Sequence, residues 1–165
     1  MKLRNYIFAV IIGLCILGGC ALPMVYILRS KAAFNRVTES DARALLNTQR
    51  TSVDALRAMV IQDANRSSDL ELTITYRDGW VASSVHIPEK RKAEYCALFR
   101  PLRVLGVKGR TDTVMIYVAD FGWAGDMQGK ILYWQSPDSS SRVLTAPNRK
   151  TVKISDDGWW YVYYW

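Results

Sequence analysis

An uncharged apolar segment at residues 6–28 constrains this chain more than any other feature. Its 23 residues, YIFAVIIGLCILGGCALPMVYIL, carry no charged side chain, and basic residues flank the segment on both sides. About 20 apolar residues in a helix span the roughly 30 Å hydrocarbon core of a bilayer. The segment is therefore predicted to be a transmembrane helix that acts as an uncleaved signal anchor, between a basic tail at residues 1–5 and a juxtamembrane linker at residues 29–37.

A second interpretation of this segment rests on Cys20. The residues Leu17, Gly18, Gly19 and Cys20 resemble the lipobox of bacterial lipoproteins, and the resemblance implies cleavage before Cys20 and an acylated Cys20 as the new N-terminus. Residues 21–28 stay apolar, however, where a processed chain would continue into polar sequence. This departure favours the uncleaved anchor, and both interpretations attach the following domain to membrane lipid.

The charges that flank the segment bear on the orientation of the domain. Lys2 and Arg4 precede the segment and Arg29, Lys31 and Arg36 follow it, so the positive-inside comparison nearly cancels. A five-residue tail is easily retained in the cytoplasm. We therefore expect a single-pass protein of the bacterial inner membrane whose C-terminal domain is periplasmic.

The remaining residues, 38–165, have room for one domain. The chain has a net charge of +7, and removing Lys2 and Arg4 leaves 20 basic and 15 acidic residues, a net charge of +5. This moderate excess suits anionic lipid, an acidic partner or nucleic acid. The basic groups at residues 90–92 and 149–150 are short and typical of solvated charges, so nucleic acid is an unlikely partner.

Hydrophobic periodicity predicts an α+β domain over residues 38–165. Thr38 is a suitable N-cap for a helix that ends near residue 65, and a second helix is predicted at residues 89–104, with Pro101 as a kink and Gly106 as its C-terminal signal. The expected architecture is a small antiparallel sheet packed with about two amphipathic helices. Its predicted strands are residues 70–77 and 80–87, joined by a turn at Asp78 and Gly79, and residues 113–120, 130–135, 151–155 and 158–165.

Patterns for catalysis or metal binding are weak. His86 is the only histidine, and no cysteine or acidic residue stands at ligand spacing from it, so no metal, cofactor or catalytic residue is predicted. The alternative hypothesis is a small hydrolase or transferase that uses His86 with Asp120 or Asp126. Residues 122–130 lack the ending of a phosphate loop and are predicted as a hairpin loop. Cys96 lies in an apolar helical pattern and is predicted to be a buried, inert thiol.

The final predicted strand is unusually aromatic. Residues 158–165 read GWWYVYYW, so aromatic side chains fall on both faces of this strand. Such a strand either lies between two layers or presents one face to a partner or a membrane interface. Trp and Tyr dominate binding hot spots, and we therefore predict a partner-binding surface formed by Trp123, Tyr133, Trp134, Trp160 and Tyr164.

The chain thus combines a basic start, one apolar span, an amphipathic helix and a small sheet that ends in WYVYY at residues 160–164. This combination resembles that of uncharacterised small bacterial single-pass inner-membrane or envelope proteins, and the resemblance implies no activity. The leading hypothesis is a membrane-anchored, non-enzymatic envelope protein whose domain binds another protein through its aromatic surface. An immunity or inhibitor protein is one concrete version.

Overall fold

The computed structural model describes residues 37–67, 71–77, 79–123, 126–139 and 147–164, apart from the side chains of residues 119–128. Val37–Trp165 forms one compact unit. Among the described residues, no helix combines the length and the apolar character that a membrane span requires. The predicted anchor at residues 6–28 and the predicted lipidation residue Cys20 lie outside the described residues.

The described residues contain three helices, α1 (Glu39–Thr48), α2 (Arg50–Arg66) and α3 (Glu89–Leu102). Thr38 caps α1 as predicted, in a capping box in which the Asp41 carboxylate accepts from the Thr38 backbone N–H at 2.7 Å. The prediction of one continuous helix to residue 65 is wrong, because the chain breaks at Gln49, with φ −118° and ψ 25°. Beyond the break, Arg50 pairs with Asp157, a distant contact that helical periodicity cannot reveal.

The described strands form a seven-stranded antiparallel sheet, which together with the helices confirms the predicted α+β class. The spatial order is β2-β1-β3-β4-β5-β7-β6, so the aromatic strand β7 is internal. The strands are β1 (Leu72–Arg77), β2 (Trp80–Ser83), β3 (Gly106–Gly109), β4 (Thr113–Trp123), β5 (Asp126–Gln135), β6 (Arg149–Lys153) and β7 (Trp159–Tyr164).

Strand β3 is absent from the sequence prediction, which treats Gly106 as the signal that ends a helix. The residue that ends α3 is Arg103, in the left-handed conformation with φ 53°. Gly106 instead lies in β3 between Thr75 and Tyr117, and a Cβ there would come within 2.5 Å of the Ile74 carbonyl oxygen. The glycine therefore allows a close approach of two strands.

The β4–β5 hairpin is also longer than predicted. Its ladder runs from the pair Thr113 and Gln135 to the pair Trp123 and Asp126, so the connection is residues 124–125. The prediction of a loop at residues 122–130 is therefore wrong for most of that segment. By contrast, the predicted β1–β2 hairpin is confirmed, with Gly79 at φ 87° in its turn.

The two faces of the sheet differ in what packs on them. One face and the three helices form the main core, which includes Leu72, Ile74, Val107, Val114, Ile116, Leu132 and Trp159 from the sheet and Val53, Leu56, Val60, Tyr95 and Phe99 from the helices. Burying each large apolar side chain stabilises the fold by roughly 1.5–3 kcal/mol. A separate apolar cluster lies on the opposite face and contains no residue of the three described helices. We call this opposite side of the sheet the open face.

Candidate functional site

The open face has an apolar centre built from three neighbouring strands. The register places its side chains in cross-strand rows, with Met115 beside Tyr133 and Tyr133 beside Trp160 in one row. Alternation along each strand directs every second side chain to this face. The apolar centre consists of Met115 and Tyr117 from β4, Ile131 and Tyr133 from β5, and Trp160, Val162 and Tyr164 from β7.

Burial varies across this centre. Tyr133 and Val162 have no exposed surface, and Ile131 retains 3%. Tyr117, Trp160, Tyr164 and Met115 surround them and are half-buried. Accessible aromatic surface therefore encircles a densely packed middle, so the side chains that a partner would touch are held in place by their neighbours.

Basic residues border the apolar centre on both sides. Arg149 and Lys153 of β6 pair in register with Tyr164 and Trp160, and Lys108 of β3 pairs with Met115. Lys108 lies 2.7 Å from the Glu71 carboxylate, which Arg110 also approaches at 3.6 Å. Lys153 lies 3.0 Å from Asp156. We call Lys108, Arg110, Arg149 and Lys153 the basic rim, and its positive charge exceeds that of the acids it contacts.

Trp80 is a further aromatic residue of the open face, and the sequence prediction omits it. It is 80% exposed, the largest exposure of any large hydrophobic residue described. Its cross-strand partner is Arg77, whereas the neighbouring pair Tyr76 and Val81 packs against the main core. The phase of the β1–β2 hairpin was the signal for this residue, since Trp80 falls between core-facing positions.

The predicted partner-binding residues do not share one surface. Tyr133, Trp160 and Tyr164 lie on the open face, but Trp134 lies on the helix-covered face, because consecutive strand residues point in opposite directions. The Arg57 guanidinium lies 4.7 Å from the Trp134 ring centroid, and the Trp134 indole N–H donates to the Asp157 carbonyl at 3.1 Å. The side chain of the fifth predicted residue, Trp123, lies outside the described part of the structure.

His86 belongs to a different region, an open cleft of about 750 Å³. The carboxylates that line the cleft with His86 are Asp63 and Glu94, and each lies 2.8 Å from the Arg91 guanidinium. In the alternative hypothesis His86 acts with Asp120 of β4 or Asp126 of β5. His86 follows β2, and β1 and β3 lie between β2 and β4 in the sheet. The side chains of Asp120 and Asp126 lie outside the description.

A buried polar network beneath the cleft joins α2 to α3. The Tyr95 hydroxyl donates to the Asp63 carboxylate at 2.7 Å, and Arg91 donates to the same oxygen at 2.8 Å. Burial raises the pKa of Tyr95, and its hydrogen bond to Asp63 adds to the shift. The hydrogen bond to Asp63 raises the pKa of Arg91 further above its ordinary value. The Asp63 carboxylate thus has a structural role, because its contacts with Arg91 and Tyr95 hold α2 against α3.

A second polar cluster surrounds the start of α1. The Val37 carbonyl accepts from the Lys130 ammonium at 2.6 Å and from the Tyr161 hydroxyl at 3.4 Å. Burial lowers the pKa of Lys130, and the nearby Asp41 carboxylate partly opposes this shift. Burial also raises the pKa of Tyr161 to about 12. The chain is therefore held at the point where it enters the domain.

Cys96 differs from its predicted environment. It is half-buried, and its thiol lies 3.7 Å from the Gly79 carbonyl oxygen at the edge formed by α3 and the β1–β2 turn. The prediction that the thiol is buried is wrong, because Cys96 lies beside the core-facing stripe of α3, which Tyr95 and Phe99 define.

No family model, curated protein or solved structure matches this chain. Within the described residues, no group of three or more His, Cys, Asp or Glu side chains is placed to hold a metal ion. The open face and the cleft therefore have to be interpreted from their own geometry.

Proposed function

We propose that this protein is a membrane-anchored, non-enzymatic protein of the bacterial envelope whose α+β domain binds another protein through the open face. The observation that carries the proposal is an aromatic patch with a basic rim. The patch lies on the sheet face against which none of the described helices packs. In this proposal the anchor is the apolar segment at residues 6–28 and the domain lies in the periplasm.

The arrangement of the open face suits a protein interface. Interfaces combine a desolvated apolar centre with a polar rim, and Trp, Tyr and Arg contribute most of the binding energy. Here Trp160, Tyr117 and Tyr164 supply half-exposed aromatic surface around buried neighbours. Because internal strands hold these side chains, little conformational entropy is lost on binding.

The basic rim indicates the charge of the partner. A partner with an aliphatic or aromatic centre and an acidic border would match the apolar residues and the rim residues at the same time. Such electrostatic matching accelerates association at low ionic strength and is screened by salt. An immunity or inhibitor protein fits this description, since it acts by occupying a surface and requires no catalytic group.

Site-specific photo-cross-linking tests the proposal. A benzophenone amino acid replaces Trp160 or Tyr117 in the full chain in intact native cells, and the exposed Ala55 of α2 serves as the control position. We expect a discrete protein adduct from the two open-face positions, and its loss when Arg149 and Lys153 are both changed to Glu. Adducts with lipid alone, or equal adducts from position 55, would overturn it.

A protease-accessibility experiment tests the location independently. The full chain carries a C-terminal tag, and intact spheroplasts are treated with protease. We expect cleavage from outside, with a cytoplasmic protein protected as the control. Protection of the tag until lysis would place the domain in the cytoplasm and contradict the periplasmic part of the proposal. Metabolic labelling with a fatty acid distinguishes the uncleaved anchor from the lipoprotein. Label that is present in the unchanged protein and lost in the Cys20→Ser variant would identify the lipoprotein.

A further inference from the structure

The cleft beside His86 is lined by basic side chains that have no bonding partner among the described residues. Its lining includes three basic side chains, Arg66, Lys90 and Arg91, against the two acids Asp63 and Glu94, so its net charge is positive even with His86 neutral. Arg91 is fully engaged with both acids and with Gln62. In the described part of the chain, the side chains of Arg66, His86 and Lys90 make no hydrogen bond or ion pair.

Arg66, His86 and Lys90 come from two elements that the buried network joins. Arg66 is the last residue of α2, and His86 and Lys90 flank the start of α3. The Asp63 contacts with Arg91 and Tyr95 hold the two helices together directly beneath the cleft. The three side chains are exposed, but the helices from which or beside which they extend are rigidly supported, as a binding site requires.

The start of α3 adds hydrogen-bond donors to the same cleft. Its N-cap residue is Pro88, which provides no side-chain cap, and the first helical bond runs from Lys92 N–H to the Pro88 carbonyl. The preceding backbone N–H groups of the helix thus remain available to an anion. Basic side chains from both helices and residues at the start of α3 thus line one cleft.

We propose that this cleft binds the phosphate group of a phosphate ester. The oxygens of one phosphate group can accept hydrogen bonds from an arginine, a lysine, a histidine and backbone amides at the same time. Hydrogen bonds between charged groups are stronger than those between neutral groups. The volume of about 750 Å³ exceeds that of a phosphate ion and falls in the range of small-molecule sites, so the remainder of the ester lies along Val85 and Ile87. The ester comes either from a soluble phosphorylated compound or from a phospholipid headgroup. This site is separate from the open face and does not depend on it.

His86 provides a direct measurement because the sequence contains one histidine. The full chain in neutral detergent is titrated with glycerol phosphate at constant ionic strength while the His86 ring resonances are recorded by NMR. The same titration is repeated with phosphatidylglycerol added to the micelles. A saturable shift with either probe supports the proposal, and the tighter of the two identifies the source.

Variants make the test specific. Arg66→Gln and Lys90→Gln each remove one cation, and we expect each to weaken binding by about tenfold. Lys150→Gln is the matched control, since Lys150 is exposed on β6, at the opposite edge of the sheet from β2. No saturable shift with either probe, or equal weakening by Lys150→Gln, would overturn the proposal. Cross-linking from position 160 is expected to persist in all three variants.

Discussion

The ring of Tyr164 lies across Gly129, its directly opposite residue in the β5–β7 ladder. A Cβ at position 129 would overlap the Tyr164 ring. The glycine therefore allows this aromatic side chain to lie flat on the open face, where it meets Val162 and its neighbours.

The contact predicts the effect of Gly129→Ala. The added methyl group displaces the Tyr164 ring, and we expect a loss of about 1–3 kcal/mol in unfolding free energy, measured by urea denaturation. The Tyr164→Ala variant and the double variant complete a double-mutant cycle. The cost of Gly129→Ala is expected to shrink when Tyr164 is absent. An equal cost in both backgrounds would show that the ring is not the obstacle.

Two adjacent aromatic residues are predicted to differ in function. Trp160→Ala removes half-exposed surface from the open face, so we expect the adduct formed from position 117 to be lost, with a modest change in stability. Trp134→Ala removes the contacts with Arg57 and Asp157, so we expect a loss of about 2–4 kcal/mol while folded protein keeps its partner. Partner capture and urea denaturation are measured on the same preparations. Loss of the partner in both folded variants would contradict the assignment of faces.

The buried network predicts a large effect of Asp63→Asn. The change leaves Arg91 without its buried carboxylate and weakens the bond from Tyr95, and breaking a buried pair costs about 3–5 kcal/mol. Tyr95→Phe removes one hydrogen bond and is expected to cost about 1–2 kcal/mol. Glu89→Gln is the control, because Glu89 is 86% exposed in its pair with Lys92. A small effect of Asp63→Asn, similar to that of the control, would refute the structural role.

Two buried tyrosines predict how stability depends on alkaline pH. The pKa values of Tyr95 and Tyr161 are raised in the fold, that of Tyr161 to about 12, whereas an unfolded tyrosine ionises near pH 10. Above pH 10 the unfolded chain releases protons that the folded chain retains. The contribution of the two tyrosines to the unfolding free energy is therefore complete below pH 10 and declines as the pH rises. For Tyr161 the decline continues until about pH 12.

The Tyr161→Phe variant isolates one part of this decline. We expect its unfolding free energy to fall less steeply between pH 10 and 12 than that of the unchanged protein, measured by urea denaturation at each pH. Lys130, whose lowered pKa acts in the opposite direction, is retained in both proteins. Parallel curves would exclude Tyr161 as a source of the pH dependence.

Lys130→Met tests the contact at the start of the domain. Val37 loses its shorter hydrogen bond, so we expect faster hydrogen exchange in the first turn of α1, measured by mass spectrometry. The net loss in stability is expected to be about 1 kcal/mol, because the variant also relieves the burial of a charge. Lys150→Met on the exposed edge is the matched control. Unchanged exchange around Thr38 would contradict the role of Lys130.

The features that the sequence predicted correctly depend on a few neighbouring residues. Thr38 caps α1 through contacts within one turn, and a turn that contains Gly79 joins two strands of six residues or fewer. The aromatic side chains on both faces of β7 similarly agree with its internal position in the sheet. Short-range patterns of this kind predict these local elements and the α+β class, but they do not predict β3, the break at Gln49 or the length of the β4–β5 hairpin.

The composition of the candidate site depended on longer-range information. Tyr133 and Trp134 are equally aromatic, and the pairing of β5 with β4 and β7 decides which of them faces the helices. Trp80 lies on the open face because it pairs with Arg77, whereas the neighbouring residues Tyr76 and Val81 point into the core. The cations of the cleft come from helices whose contact passes through Asp63 and Arg91, 28 residues apart. Local periodicity does not contain these pairings.

The contacts between the two ends of the domain also affect how it forms during synthesis. Arg43 donates to the backbone carbonyls of Lys153 and Ile154, and the Tyr161 hydroxyl reaches Val37 across 124 positions of sequence. Closing such distant contacts is slow because a long loop must be ordered first. While the ribosome still holds β7, Val37 before α1 lacks its contact with Tyr161, and β5 and β6 lack the strand that pairs with both of them. The domain therefore cannot complete its fold, and stays accessible to chaperones, until β7 has emerged.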